Sequence, residues 1–315
     1  MEPILPEFKK MSFADRDGVI WMDGELVPWR EANVHILTHS LHYGVAVFEG
    51  LRAYETTRGT AIFRLHDHSR RLLQSAKILG MKPRYDANVL DEAQRLVVRE
   101  NKLQSAYIRP LVYYGTEGVG LRADKLSSHV GIACWEWGSY LGEEGMTQGI
   151  RIRTSSYTRH HVNSAMCRAK ASGNYINSIL GLQEAISCGY DEALFLDHQG
   201  FVMEGSGENI FIVRDGTVYT PSLSSSLDGI SRRTVMTLLQ EVGFTVIEKQ
   251  ITRDEVYIAD EAFFTGTAAE VTPIRELDNR QIGEGFRGPI TEQAQQLYFA
   301  SVKGEGTHDE WLDFV

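Results

Sequence analysis

From Gly138 to Gly149 the chain reads Gly-Ser-Tyr-Leu-Gly-Glu-Glu-Gly-Met-Thr-Gln-Gly, a stretch with four glycines and no apolar period. It reads as a linker that parts the chain in two. Just before it, Ala106–Tyr114 and Val130–Trp135 have the composition of strands. Further back, Asp67–Leu79 places Leu72, Leu73, Ala76 and Leu79 at helical spacing, and Gly80 ends it. Asp86–Glu100 is a second helix with Leu90, Ala93, Val97 and Val98 on one side. Val45–Ala53 fits a helix or a strand equally, because a short apolar run has no diagnostic period. Gly18–Trp29 reads as a hairpin turning at Asp23-Gly24. Beyond the linker, Ile150–Thr154, Glu192–Leu196, Asn209–Val213 and Glu261–Phe264 read as strands, with helices over Asn174–Cys188 and Ser231–Val242. Strands and helices mix on both sides, so the class is α/β or α+β with two domains. The expected division is a smaller N-terminal α/β domain over 1–137, a linker over 138–146 and a larger domain over 147–315. No internal repeat or low-complexity tract interrupts it.

The 315 residues carry 32 Lys+Arg against 42 Asp+Glu, a formal net charge of -10. Nucleic acid and anionic membrane are poor partners for such a surface, though a local basic pocket still suits a small anion. Cys134, Cys167 and Cys188 are odd in number and show no CxxC spacing, so no disulfide framework is expected and a reducing compartment is. Cys167 reads as a small packing residue. MEPILPEFKKMSFADRDG lacks the pattern of a secretory signal, and nowhere do eighteen apolar residues run together. A soluble cytoplasmic protein is the expectation.

Four local segments bear on chemistry. In Arg168-Ala169-Lys170-Ala171-Ser172-Gly173-Asn174-Tyr175, small neighbours let a bulky ring approach the lysine amine, and partial desolvation would prepare that amine as a nucleophile. Tyr175 can offer a phenol to the same ring. In Met203-Glu204-Gly205-Ser206-Gly207-Glu208-Asn209, the two glycines permit a tight turn, which either exposes two carboxylates or aims one at a cationic nitrogen. In Leu227-Asp228-Gly229-Ile230-Ser231-Arg232-Arg233, Ser231 or Asp228 is placed to cap a helix, whose N-terminus suits a phosphate. Phe264-Thr265-Gly266-Thr267-Ala268-Ala269 follows a strand with small residues, either a plain turn or an anion nest. A rival cluster is His35, His39 and His42, at spacings of four and three, which would suit zinc on a helix face; no HExxH pattern accompanies it. His160-His161 and His66-Asp67-His68 read as solvated or structural pairs.

In chain order, HSLHYGVAVFEGLRAY, HDHSRRLLQSAKILG, AYIRPL, RAKASGNYINS, EGSGENIF, GISRRT and FFTGTAAEVTPIR together resemble the fold-type IV pyridoxal phosphate enzymes, specifically the branched-chain amino acid aminotransferases. The similarity runs from about Val19 to the terminal WLDFV, and seven ordered motifs are far more specific than any one. The resemblance implies a two-domain fold whose larger domain is a pseudo-barrel carrying pyridoxal 5'-phosphate. Lys170 matches the lysine that holds the cofactor as a Schiff base and shuttles the proton. Tyr175 matches the tyrosine on the cofactor's phenolic oxygen, Glu204 the carboxylate on its ring nitrogen, and Arg71 the arginine on its phosphate. Ile230, Ser231 and Thr267 match further phosphate ligands, with serine at 231 where threonine is common, and Leu227 matches the residue packed on the ring.

For substrate, Tyr43, Phe48, Tyr140 and Ala268 match the pocket wall, while Tyr107 and Arg109 match residues that accept carboxylates. The resemblance further implies a homodimer or higher homo-oligomer, with Tyr43 reaching in from the neighbour. Its substrates would be leucine, isoleucine, valine, glutamate and their 2-oxo acids, with 2-oxoglutarate as the amino acceptor. D-amino acid and (R)-amine aminotransferases share the fold. The D-amino acid enzymes tend to show Arg-x-His here, whereas Arg109 is followed by Pro110 and Leu111. A zinc hydrolase built on the histidine cluster is the alternative of a different class.

Overall fold

Asp23-Gly24, a dipeptide that tolerates positive φ, turns the first hairpin with φ of 49° and 106°. It joins β1 (Val19–Met22) to β2 (Glu25–Pro28). The computed structural model describes residues 12–137 and 142–315. After the hairpin come α1 (His39–Tyr43), β3 (Ala46–Phe48), β4 (Leu51–Thr56), β5 (Gly59–Phe63), α2 (Leu65–Ile78), α3 (Ala87–Glu100), β6 (Ala106–Tyr114) and β7 (Ser128–Trp135). The ambiguous run at Val45–Ala53 is thus two strands, broken at Glu49-Gly50. Asp86 caps α3 by accepting the Val89 N–H at 3.0 Å.

A short helix, α4 (Gly142–Gln148), stands where the glycines predict an irregular linker; Gly138–Leu141 lie outside the described residues. Then follow β8 (Ile150–Thr154), α5 (Tyr175–Ser187), β9 (Glu192–Leu196), β10 (Val202–Glu204), β11 (Asn209–Arg214), β12 (Thr217–Pro221), α6 (Ile230–Glu241), β13 (Val246–Lys249), α7 (Arg253–Tyr257), β14 (Glu261–Gly266), β15 (Glu270–Leu277), β16 (Arg280–Gln281), α8 (Pro289–Val302) and β17 (Leu312–Phe314). Among the described residues no helix is long and apolar enough to cross a membrane.

The strands form two sheets. The first runs β17-β5-β4-β6-β7-β1-β2, with β3 also on β6. The second runs β10-β9-β8-β15-β14-β11-β12-β13, and β10 also pairs with β11. That extra pairing closes β10, β9, β8, β15, β14 and β11 into a ring, a barrel-like sheet of the kind the resemblance implies for the larger domain. Helices α2 and α3 cover the first sheet through Leu65, Leu72, Leu90 and Val97, packed on Leu51, Ile62, Ile108 and Ile132. A second apolar cluster joins the two sheets: Phe63 and Leu312 pack with Phe211, Phe263, Val235 and Tyr298. This cluster fixes the crevice between the sheets, because interiors packed to this density do not deform continuously.

Candidate active site

The crevice holds a cavity of about 340 Å³. Lys170 enters it from an irregular segment anchored at both ends of its peptide unit. Its N–H donates to Ser75 Oγ at 3.0 Å and its carbonyl accepts the Phe48 N–H at 3.0 Å. The amine donates to Tyr175 Oη at 2.7 Å and stands 5.2 Å from the Phe48 ring centroid. Tyr175 is the first residue of α5, so the five-residue spacing seen in the sequence becomes a direct contact.

Glu204 ends β10 and is buried at 3% exposure. The two-carboxylate corner suggested by its sequence is therefore not a solvated one, since Glu208 is buried too. Glu204 Oε1 accepts Arg159 Nε at 2.7 Å and Oε2 accepts the Leu227 N–H at 3.1 Å. A carboxylate has about four acceptor positions, so capacity remains for one more donor in the cavity. Gly205 is required by space: a Cβ there would meet Glu208 Oε2 at 2.8 Å and the Phe264 ring at 3.1 Å. At Gly207, which lines the cavity, a Cβ would meet nothing within 4 Å.

At the opposite end α6 begins at Ile230. Its N-cap is Gly229, and no side chain caps it. The expected cap by Ser231 or Asp228 is not formed. Ser231 lies inside the first turn, where its hydroxyl meets Tyr298, and Asp228 faces Arg168 and Arg233 at 3.7 Å. The N–H groups of the first turn are therefore free for an anion. Arg71, on α2, closes this end. Its Nε and Nη2 donate to Glu49 at 2.5 and 2.8 Å, and Nη1 donates to the Asp228 carbonyl at 2.8 Å. A guanidinium has five N–H groups, so these three bonds leave others for a ligand. Burial pushes Glu49 up, but Arg71 and then His68 overcome it and hold the carboxyl well below the usual range. His68 is itself depressed by burial, which Glu49 only partly offsets. It is therefore a neutral ring whose Nδ1 donates to Glu49 at 2.7 Å, a structural role consistent with the sequence reading. His66 pairs with Asp91 at 2.7 Å.

Phe48, Tyr107, Arg109, Leu227, Thr267 and Ala268 line the same cavity. Arg109 Nη2 donates to Tyr107 Oη at 3.0 Å, and its guanidinium lies 4.7 Å from the Phe48 ring. Two expected residues are not among those lining it, one of them undescribed. Tyr140 lies outside the described residues. Tyr43 is 40% exposed, and its hydroxyl accepts the Gly120 N–H at 3.0 Å rather than facing this cavity. Arg159, Ser206, Glu208, Asn209 and Thr265 also line the cavity or anchor its groups, and no role was read for them from sequence. Ser206, Glu208 and Asn209 belong to the quoted turn and Thr265 to the quoted run of small residues, so each had a local signal; Arg159 lies in no motif.

The histidines offered for zinc are turned onto the chain itself. His39 Nε2 meets the Gly120 carbonyl at 2.8 Å, His42 Nε2 meets the Ile36 carbonyl at 2.8 Å, and His35 Nδ1 accepts the Leu37 N–H at 3.1 Å. Among the described residues no group of three metal-binding side chains is gathered. Cys167 Sγ packs against the carbonyls of His160 and Ala165 at 3.7 and 3.5 Å.

An uncapped helix start at one end, a buried carboxylate at the other and a phenol-paired lysine between them, set on a barrel-like sheet, accord with the amino-transferases of class IV. The model of that family matches residues 46–277. The chain is 63% identical over 306 residues to the branched-chain-amino-acid aminotransferase of Pseudomonas aeruginosa, covering 97% of this chain and 100% of that one. It is 45% identical to that of Escherichia coli over 93% of this chain and 95% of the relative. A solved Escherichia coli branched-chain amino acid aminotransferase superposes with a TM-score of 0.93 at 44% identity, covering 95% of this chain and 99% of that one. The branched-chain aminotransferase of the thermophilic archaeon Thermoproteus uzoniensis, solved with norvaline, superposes with a TM-score of 0.90, at 44% identity and the same coverage. The chain belongs to the branched-chain-amino-acid aminotransferases.

Proposed function

We propose that the crevice between the two sheets is the active site, with Lys170, Tyr175, Glu204 and Arg71 in the roles their family motifs imply. The enzyme is a pyridoxal phosphate-dependent transaminase that exchanges an amino group between branched-chain L-amino acids and 2-oxoglutarate. The observation that carries the site assignment is the 2.7 Å contact of Lys170 Nζ with Tyr175 Oη, in a cavity bounded by Glu204 and the uncapped start of α6. The donor set fits the cofactor: spare guanidinium N–H groups and free helix N–H groups suit a phosphate, and a buried carboxylate suits a protonated ring nitrogen.

When bound, pyridoxal phosphate supplies the electron sink for the charge that forms at the substrate's α-carbon. Lys170 Nζ would hold the cofactor and would carry the proton taken from that carbon. Tyr175 Oη accepts a hydrogen bond from the amine and keeps it pointed into the cavity. Glu204 keeps a proton on the ring nitrogen, and Arg159 keeps Glu204 in place. Arg71, Ile230, Ser231 and Thr267 hold the phosphate, and Leu227 packs on the ring. Phe48 and Ala268 form the apolar wall for the branched side chain, with Tyr140 expected beside them. Tyr107 and the backbone at Thr267-Ala268 take the α-carboxylate, and Arg109 takes the second carboxylate of glutamate.

We further place the domain division at 138–146, since seven of the first sheet's eight strands precede it and the whole second sheet follows it. The enzyme works as a homodimer in the cytoplasm. Three free cysteines suit that compartment, and exposed Ile36, Leu37 and Leu41 beside Tyr43 suit an interface. Borohydride reduction followed by peptide mapping should place the cofactor on Lys170, and a label on another lysine removes that assignment. A panel of amino donors with 2-oxoglutarate as acceptor should rank leucine, isoleucine and valine above aromatic and D-amino acids.

A further inference from the structure

Thr265, in β14, is 1% exposed, lines the active-site cavity, and its hydroxyl has no protein partner among the described residues. The buried threonines around it behave otherwise. Thr220 donates to the Ile210 carbonyl at 2.9 Å, Thr234 to Ile230 at 3.0 Å, Thr272 to Ala269 at 2.7 Å and Thr291 to Glu261 at 2.6 Å. A buried hydroxyl without a partner is costly, and it stands out where its neighbours are all satisfied.

The register says where this hydroxyl lies. Glu204 pairs with Asn209 across β10 and β11, and Asn209 pairs with Thr265 across β11 and β14. Directly opposed residues project to the same face, so carboxylate, amide and hydroxyl form one row across the floor of the cavity. Adjacent strands are about 4.8 Å apart, which puts Thr265 two strands away from the carboxylate proposed for the ring nitrogen. The middle member marks the direction. Asn209 Nδ2 donates to the Leu227 carbonyl at 3.0 Å, and its Oδ1 fills the space that a Cβ on Gly229 would need. Past Asn209 the row therefore runs beneath the residues that lead into α6, and Gly266 and Thr267 follow Thr265 along the cavity wall.

We propose that the Thr265 hydroxyl is a further ligand for the phosphate end of the cofactor, the terminus of a floor row that begins at Glu204. The proposal rests on the reading of this cavity as the pyridoxal phosphate site. The test compares Thr265→Val, which keeps shape and removes the hydroxyl, with Thr265→Ser, which keeps the hydroxyl. Each is titrated as apoenzyme with pyridoxal phosphate and with pyridoxal, which lacks the phosphate, and each apoenzyme is melted. A hydrogen bond to a charged acceptor is worth about tenfold or more in affinity, so Thr265→Val should raise the dissociation constant for pyridoxal phosphate by about that factor. Pyridoxal binding should not change, and Thr265→Ser should bind pyridoxal phosphate like the parent. Apo Thr265→Val should melt no lower than the parent, because it loses an unsatisfied group. Unchanged phosphate affinity, an equal loss for both probes, or a lower-melting apoprotein each overturns the proposal. Failure of the parent itself to take up pyridoxal phosphate would instead overturn the reading of the cavity.

Discussion

Arg159 and Arg109 are both partly buried cations on the cavity wall, and their partners set their uses apart. Arg159 is held by protein partners: Nε meets Glu204, and Nη1 meets Asn177 and Ser178 at 3.1 and 3.0 Å. It is a positioning residue that fixes a carboxylate. Arg109 forms no ion pair among the described residues, its Nε is buried without a partner, and its guanidinium lies against the Phe48 and Tyr107 rings. A cation desolvated by aromatic walls and lacking a carboxylate is poised to receive one from a ligand. Under the proposed function the same pocket must hold an apolar branched chain in one half-reaction and the acidic chain of glutamate in the other. Arg109→Leu should therefore lower the single-turnover rate with glutamate by about a hundredfold, the scale of one lost charge-assisted contact in a buried site. Leucine should lose less than about tenfold. Equal losses with the two donors would defeat this division of labour.

At the scale of elements, the start of β9 and the turn before β11 carry a buried acidic pair. Glu192 accepts Ser206 Oγ at 3.0 Å and the Ala193 N–H at 2.6 Å, while Glu208 accepts the Gly207 N–H at 3.0 Å. Burial raises both carboxyls, Glu192 further through Glu208, and Glu208 through Glu204 against the opposing pull of Gly207 N–H and Lys170. A carboxyl raised in the folded state contributes its full stability below its unfolded value and loses it as pH climbs through the raised one. Glutamine imitates the protonated form at every pH. Glu192→Gln should thus leave the melting temperature unchanged near pH 4 and raise it increasingly toward pH 8. A tenfold change in a protonation equilibrium is worth about 1.4 kcal/mol, so a gain of at least that size is expected at the alkaline end. A melting difference that stays constant across this range would show that the pair is not the cause. Such pairs are invisible in the sequence, where Glu192 heads an apolar strand and Glu208 is sixteen residues on. The elements themselves were legible: helices over α2 and α3 and strands over β6, β8 and β9 follow from period and glycine stops. The helix at Gly142–Gln148 was not, because four glycines between 138 and 149 outweigh any local preference.

At the scale of the molecule, the proposed site draws on both sheets, and its legibility follows from that. Lys170 with Tyr175 and Glu204 with its turn are local patterns, each contained in one window of sequence. The residues that hold them are remote: Ser75 supports Lys170 across 95 positions, and Arg159 supports Glu204 across 45. No window of sequence contains such a pair, and only the fold brings it together. Tyr43 extends the same logic beyond one chain. Its family motif assigns it to a substrate pocket, yet in its own subunit it sits on exposed α1 beside Ile36, Leu37 and Leu41, which are 71%, 49% and 60% exposed. A two-fold dimer reconciles the two by presenting Tyr43 to the neighbour's cavity. Complementation tests this, using Tyr43→Ala subunits mixed with Lys170→Ala subunits, each nearly inactive alone. If Tyr43 crosses the interface, a hybrid dimer collects both lesions in one site and leaves the other intact. Random pairing at equal amounts makes half the dimers hybrid, so activity should return to about a quarter of the parent's. If Tyr43 serves its own subunit, every site in the hybrid carries one lesion and nothing returns. A Tyr43→Ala homodimer as active as the parent would remove Tyr43 from the pocket altogether.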